Sequence, residues 1–528
     1  MDFSLPYASA RSLVFGRAAI STSHSLASMA GMEMLYAGGN AVDAAVAAAM
    51  TLVVVEPTGC GVGSDAFAIV WDGNRLHGLD AAGRAPAAWT IDRFASRTKM
   101  PVRGWDSVTV PGAVSAWAAL SERFGRLPFE RLATPAVRYA REGFRVSPKV
   151  AKRWAADAEK LHDQAGFAEC FMPGGRTPAS GETFRAPTLA KTLEAIAASR
   201  GESFYRGALA EKMVAHSRAH DGVLTPDDLG RHQPKWVETL SQIYAGAVVH
   251  ELPPPGQGIA TLVGLGILGA LDLDPAGVDS LVENHAAIEA TKLAFADLNQ
   301  FVADPETMEF APKALINPAY LARRAALFDP RTAGDPGHGA PAQGGTVCLS
   351  AADADGMMIS FIQSNYMGFG SGVVVPGTGI SLQNRGCGFS LDPNHPNVVG
   401  SRKQPFHTII PGFAMTADGR PLMAFGLMGG PMQAQGHLQM ALRILKHHQN
   451  PQAAADAPRW RVMSGKRVAV ERGMDSRLIE GLQALGHELV TDEPDGDFAF
   501  GGAQIIVSTD SGYVAGSDHR KDGLALAF

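Results

Sequence analysis

One threonine, Thr346, constrains the fold of this 528-residue chain more than any other feature. It follows DPRTAGDPGHGAPAQG (329–344), a segment whose proline and glycine content is incompatible with a regular helix or strand. The sequence then alternates as TVCLSAAD (346–353), turns at ADG (354–356) and resumes as MMISFIQS (357–364). This pattern predicts a β-hairpin over 346–364, with Thr346 opening its first strand.

A hydroxyl residue that opens a strand directly after a flexible, glycine-ended segment suits cleavage of the chain at that bond. Thr346 Oγ would attack the carbonyl of Gly345, and an N→O acyl shift followed by hydrolysis would release a new N-terminus. Thr346 would then carry both a nucleophilic hydroxyl and a free α-amine. Because an α-amine has a pKa of about 7.7–8.0, it can accept the hydroxyl proton without a histidine. The alternative is an ordinary threonine at the start of a strand in an uncut chain.

The composition provides a sizeable core and no electrostatic sign of a nucleic-acid or membrane partner. Apolar residues make up 46% of the chain, the formal charge is −6 and the pI is near 6.2. Two apolar stretches, 41–55 and 258–271, are shorter than the roughly 20 residues that a membrane span needs, so we predict buried helices. The N-terminal residues lack the pattern of a signal peptide. We expect a soluble, cytoplasmic protein.

No metal site and no cofactor are predicted. The four cysteines are scattered without metal-ligand spacing, which is typical of a reducing compartment, and they are Cys60, Cys170, Cys348 and Cys387. The histidines are also dispersed, and we interpret the pair His447-His448 as lying on a helix surface.

Residue periodicity changes at Thr346. Before it we predict strands at 19–23 and 66–81, a helix capped by Asn40, and helices at 112–124, 130–143, 147–162, 187–200, 207–219 and 283–303. After it we predict hairpins at 346–364, 411–426 and 503–516, short strands near 373–382, and a helix at 431–448. Strands from both parts could pair into stacked sheets with helices outside, an α+β four-layer αββα sandwich, although composition leaves other α/β folds open. We predict a large subunit, 1–345, and a small subunit, 346–528, which together form one unit.

Six motifs, in order along nearly the whole chain, resemble the γ-glutamyltransferase family. They are AGGNAVDAAVAAAM (37–50), VVEPTGCGVGSDAFAIVWDG (54–73), ELPPPGQG (251–258), GFGSGVVVPGTGISLQN (368–384), FGLMGG (425–430) and AGSDHRKDG (515–523). The resemblance implies an Ntn-hydrolase fold, self-cleavage between Gly345 and Thr346, and amide-bond chemistry without a cofactor. Its implied partners are a small-molecule amide and the cleaved subunit, in an αβ heterodimer that could pair again.

The resemblance also assigns catalytic positions. The backbone N–H groups of Gly429 and Gly430 would form the oxyanion hole, and Ser364 would hydrogen-bond the nucleophile. The structural alternatives are a plain turn for the two glycines and an ordinary strand hydroxyl for Ser364.

The groups with which γ-glutamyl enzymes hold the donor glutamate are altered here. The family arginine falls on Ala82, with Arg84 two residues away; the acidic residue falls on Gly388; the serine pair becomes His407-Thr408; and an asparagine becomes Tyr366. The segment 389–405 also looks too short for the lid loop of many members. We therefore expect no grip on a glutamate α-amine.

In exchange the chain gains Arg385, where the family usually has glutamine. Its guanidinium can bind a carboxylate through two hydrogen bonds, aided by Tyr366, His407 and Thr408. The alternatives are that Arg385 pairs with a carboxylate such as Asp392 and that His407 is a core histidine.

We predict hydrolysis of a small carboxylate-bearing amide through a threonyl acyl-enzyme. Within the family the chain resembles the oxamate amidohydrolases, which convert oxamate to oxalate and ammonia. One alternative is a γ-glutamyltransferase or glutathione hydrolase that uses Arg84. Another is an uncut, non-catalytic binding relative.

Overall fold

Two antiparallel sheets of seven strands each lie face to face in the computed structural model, which describes residues 11–273, 276–336, 345–491 and 499–528. Helices cover both outer faces, giving the αββα sandwich that the sequence predicts. The segment 337–344 and the first ten residues, on which the linker and signal-peptide predictions partly rest, lie outside the described residues.

Each sheet combines strands that precede Thr346 with strands that follow it. The first sheet has the order β1 (Val14–Gly16), β20 (Gly512–Ser517), β19 (Ala503–Thr509), β15 (Pro421–Leu427), β14 (Gly412–Thr416), β9 (Ala247–Glu251) and β8 (Leu240–Tyr244). The second has the order β21 (Leu524–Ala527), β2 (Ala19–Thr22), β10 (Gly345–Ala352), β11 (Met358–Tyr366), β3 (Asp65–Trp71), β4 (Leu76–Asp80) and β7 (Lys235–Val237). The two predicted subunits would therefore share both sheets.

Shorter strands lie outside this sandwich. They are β5 (Phe144–Arg145) with β6 (Thr183–Phe184), β12 (Val374–Val375) with β13 (Ile380–Ser381), and β16 (Trp460–Ser464), β17 (Arg467–Val470) and β18 (Glu488–Val490).

The helices flank the sheets or connect their strands. Before Thr346 they are α1 (Ser25–Tyr36), α2 (Ala41–Val55), α3 (Ala113–Phe124), α4 (Phe129–Glu142), α5 (Pro148–Leu161), α6 (Phe167–Phe171), α7 (Pro187–Ser199), α8 (Glu202–Arg206), α9 (Ala208–Ala219), α10 (Pro226–Gly230), α11 (Gly258–Ala270), α12 (Leu281–Phe301) and α13 (Pro318–Ala325). After it they are α14 (Met432–Ala441), α15 (Pro451–Asp456) and α16 (Ser476–Ala484). The five helices predicted between 112 and 219 and the one predicted at 283–303 are all confirmed, as α3, α4, α5, α7, α9 and α12.

The apolar stretch at 41–55 is the buried helix α2, as predicted. Asn40 accepts a hydrogen bond from the N–H of Asp43, whose carboxylate accepts one from the N–H of Asn40. Every residue of α2 is buried, which explains why the stretch is apolar on all sides. In the part of the chain that the structure describes, no helix combines the length and the apolar character that crossing a membrane requires.

Two of the regions in which the structure differs from the predictions are 431–446 and 235–251. The helix predicted at 431–448 is α14 followed by a π-helical turn, Leu442–Lys446. Strands β7, β8 and β9, between 235 and 251, were not predicted, although β8 and β9 form a hairpin at the edge of the first sheet.

Candidate active site

Thr346 lies buried between the two sheets, at the start of the first strand of the hairpin that the sequence predicts. Gly345 pairs with Tyr366 across β10 and β11, but the register shifts before Val347, so Thr346 occupies an irregularity in the ladder. Such irregularities redirect a side chain, and they are common beside active sites. The side chain of Thr346 is therefore positioned by the fold of the uncut chain.

Two polar side chains contact the hydroxyl of Thr346. Thr346 Oγ1 donates to Ser364 Oγ at 3.2 Å, and Gln433 Nε2 donates to Thr346 Oγ1 at 3.3 Å. Gln433 is itself held because its Oε1 accepts the N–H of Ile410 at 3.0 Å. Ser364 and Gln433 thus both contact the hydroxyl of Thr346, and sequence analysis missed Gln433.

Gly429 and Gly430 form the turn between β15 and α14, one turn of chain before Gln433. Their φ angles, +116° and +60°, lie in the region that favours glycine. Neither N–H donates a hydrogen bond to a described residue, so both remain available as donors. The carbonyl of Gly430 is fixed by Gln257 Nε2 at 2.8 Å. This turn can supply two amide donors to a developing oxyanion.

Arg385 is the most unusual side chain of the site because its guanidinium is almost completely buried, with 1% exposed. Its Nη1 donates to Thr408 Oγ1 at 2.8 Å, and its Cζ lies 4.5 Å from the centre of the Tyr366 ring. Its Nε and Nη2 have no hydrogen-bond partner among the described residues. Within the same residues no carboxylate lies within 4.0 Å of it, and Asp392 is exposed. Buried donors without partners are costly, so this arrangement suits an anionic ligand.

Asp65, which sequence analysis also missed, is a buried carboxylate whose charge interacts with that of Arg385. Its Oδ1 accepts the N–H groups of Gly83 and Gly112 at 3.3 and 3.0 Å. Its Oδ2 lies 3.2 Å from His407 Nε2. Asp65 also pairs with Ser364 across β3 and β11, so one ladder positions both side chains.

Burial shifts the ionisation of this group of residues. Burial raises the pKa of Asp65 to about 7, despite the opposing charge of Arg385. Burial lowers the pKa of Arg385 to about 10, which leaves the guanidinium charged at neutral pH. Burial and the charge of Arg385 together lower the pKa of His407 well below its ordinary value. His407 is therefore a neutral ring that donates to Asp65 and stands edge-on to Phe67.

A continuous set of contacts joins the nucleophile to Arg385. Ser364 Oγ accepts from Thr346 and also from the N–H of Tyr366, at 2.7 Å, and the ring of Tyr366 contacts the guanidinium. Arg84, by contrast, is engaged elsewhere: its guanidinium pairs with Asp304 at 3.2 Å and with Glu306 at 2.6 Å.

Away from this site, three potential metal ligands converge, although the sequence analysis predicts no metal site. His285 Nδ1 lies 2.8 Å from His487 Nε2, and Glu289 Oε1 lies 3.9 Å from the same nitrogen. Lys292 already donates to Glu289 Oε1 at 2.8 Å. This buried network connects α12 to the residue before β18, and therefore joins the two predicted subunits.

The family model described as Gamma-glutamyltranspeptidase matches residues 27–528. The chain belongs to the gamma-glutamyltranspeptidase family. The resemblance drawn from the six motifs is thereby confirmed, and the chain is an amidohydrolase of the Ntn-hydrolase type.

Proteins with several different names resemble the chain over nearly its full length. The oxamate amidohydrolase proenzyme of Klebsiella pneumoniae subsp. pneumoniae is 36% identical over 521 residues, 96% of this chain and 97% of that protein. The glutathione hydrolase-like YwrD proenzyme of Bacillus subtilis is 34% identical over 527 residues, 98% of this chain and 99% of that protein. A crystal structure of cephalosporin acylase from Bacillus halodurans is 43% identical, with a TM-score of 0.94, and the match covers 99% of this chain and 98% of that one.

Proposed function

We propose that this protein is a self-processing amidohydrolase whose substrate carries a carboxylate next to the scissile amide. The observation that supports the substrate class is the buried guanidinium of Arg385, with Nε and Nη2 lacking partners among the described residues. An arginine offers two parallel donors to a carboxylate, and this geometry selects carboxylates over neutral groups. The named candidate is oxamate, the substrate in the name of the Klebsiella relative.

Processing is the first step of the proposal. The hydroxyl of Thr346 attacks the carbonyl of Gly345, and water cleaves the resulting ester, leaving subunits 1–345 and 346–528. Both curated relatives are named proenzymes, which supports this step. Because each of the two sheets contains hydrogen-bonded strands of both subunits, the cut chains stay together as an αβ heterodimer.

In turnover, the freed α-amine of Thr346 takes the hydroxyl proton while Oγ1 attacks the amide carbonyl. The N–H groups of Gly429 and Gly430 stabilise the oxyanion, and Ser364 and Gln433 orient the hydroxyl. The C–N bond breaks, the α-amine returns its proton to the leaving amine, and water releases the acid from the ester. No step requires a metal or an organic cofactor.

The glutathione hydrolase alternative rests on the name of the Bacillus relative and on Arg84 as the group that holds glutamate. The surroundings of Arg84 do not favour this alternative, because Asp304 and Glu306 already neutralise the charge of the guanidinium. A parallel assay of the processed protein on oxamate and glutathione separates the two functions. Ammonia release from oxamate with little cleavage of glutathione supports the proposal, whereas the reverse result overturns it.

A further inference from the structure

A cleft of about 930 Å³ opens beside the candidate active site. Its walls come from residues 97–102, 298–302 and 387–397, so both predicted subunits contribute to it. Oxamate is among the smallest acidic amides, whereas cavities of this size accommodate far larger ligands. The cleft therefore has room for a substantial group attached to the amide.

Tyr366 connects this cleft to the proposed carboxylate site. Its side chain lines the cleft and stacks on the guanidinium of Arg385. Cys387 and Gly388, which also line the cleft, belong to the short helix that begins with Arg385. Tyr366 has a φ of +79°, a conformation that an aromatic residue adopts only where its surroundings enforce it. A ligand anchored on Arg385 would thus reach the cleft past the Tyr366 ring.

The lining of the cleft combines buried apolar residues with three exposed charged residues, Arg97, Lys99 and Asp392, so that its cations outnumber its one carboxylate. Met100, Val302 and Phe389 are buried apolar residues of the wall. Arg97 and Lys99 are exposed, and neither side chain has an ion pair or hydrogen bond with any described residue. Such a surface complements an apolar group that carries a negative charge.

We propose that this cleft binds the leaving amine of the substrate and that this amine is an apolar α-amino acid. The substrates are then N-acyl amino acids whose acyl group bears the carboxylate bound by Arg385. The side chain of the amino acid packs on the apolar wall, and its α-carboxylate faces Arg97 and Lys99. This inference rests on the proposed function, of which it defines the leaving group.

The proposed reaction is balanced without a further reactant. Thr346 Oγ forms a bond to the acyl carbon, and the C–N bond to the amino acid breaks. The proton that the α-amine of Thr346 removed from the hydroxyl passes to the departing nitrogen. Water then cleaves the ester, releasing the diacid and restoring the hydroxyl.

The test compares three substrates of the processed protein: oxamate, N-oxalyl-L-leucine and N-oxalyl-L-leucinamide, which keeps the oxalyl carboxylate but has a neutral amide in place of the α-carboxylate of leucine. We expect kcat/KM for N-oxalyl-L-leucine to exceed that for oxamate at least tenfold. In the double variant Arg97→Ala/Lys99→Ala, that value should fall at least fivefold, while turnover of oxamate and the leucinamide stays unchanged. Arg477→Ala, which removes an exposed arginine outside the cleft lining, is the matched control and should change none of the three.

Each other outcome has a distinct meaning. Hydrolysis of oxamate without hydrolysis of N-oxalyl-L-leucine overturns the leaving-group inference and leaves the proposed function standing. Equal effects of the double variant on leucine and leucinamide compounds also overturn it, because Arg97 and Lys99 then recognise no charge. If none of the three oxalyl amides is hydrolysed, the proposed function itself is overturned.

Discussion

Replacing Arg385 by glutamine tests the substrate class most sharply, because the change removes the charge and keeps a polar side chain. Nε and Nη2 are the two donors without partners among the described residues. A hydrogen bond to a charged group contributes about 1.5–3 kcal/mol, so two such bonds contribute about 3–6 kcal/mol. Since 1.4 kcal/mol corresponds to a factor of ten, Arg385→Gln should lower kcat/KM for oxamate by roughly 10²–10⁴.

The assay pairs oxamate with oxamide, its neutral analogue of nearly the same shape. Ammonia release from oxamide should change less than tenfold in Arg385→Gln, because no carboxylate is lost from its contacts. Arg84→Gln is the control variant and should leave both substrates nearly unaffected, since Arg84 pairs with Asp304 and Glu306. Gel analysis confirms that each variant is processed. Equal losses on oxamate and oxamide, or a larger loss in Arg84→Gln, would show that Arg385 does not bind the substrate carboxylate.

Three further predictions concern the surrounding groups. Deprotonation of Asp65, whose pKa burial raises to about 7, adds a negative charge beside the bound carboxylate, so KM for oxamate should rise about fivefold from pH 6 to pH 8. In Asp65→Asn this pH dependence of KM should vanish, and its persistence would contradict the assignment. Gly429→Ala places a Cβ 3.1 Å from Gly501 Cα, at a position whose φ is +116°. The resulting displacement of the residue 429 amide should lower kcat by about 10²–10³. An unchanged kcat would exclude this amide as an oxyanion donor. Ser364→Ala removes one hydrogen bond to the nucleophile, worth about 1 kcal/mol, so single-turnover acylation should slow about fivefold.

The sequence predicts the fold well where local patterns carry the information. Thr346 opens the expected hairpin, and Asn40 caps the expected buried helix, because turn residues and capping residues act over a few positions. The hairpin of β8 and β9 was missed because its turn is Ala245-Gly246. Both residues have a positive φ, which a sequence normally signals with asparagine or aspartate before the glycine.

The site is predictable only in part because its members meet through the tertiary fold. The sequence identifies Arg385 as unusual because it replaces a family glutamine. Only the structure shows that it has no carboxylate partner among the described residues. Asp65 is the first residue of a strand that is otherwise apolar. A carboxylate at the start of such a strand was the sequence signal that could have identified it as a site residue. The contact between His285 and His487 spans 202 positions, so no local pattern could reveal it.

In the proposed mechanism, the amino group that cleavage exposes on Thr346 acts as the base for the hydroxyl of the same residue. N-terminal sequencing and intact mass of the purified, active protein show whether that amino group is present. We expect chains of 345 and 183 residues, the shorter one beginning with Thr346, and a single inactive chain in Thr346→Ala. Hydrolytic activity in a protein that remains one uncut chain of 528 residues would contradict the proposed mechanism.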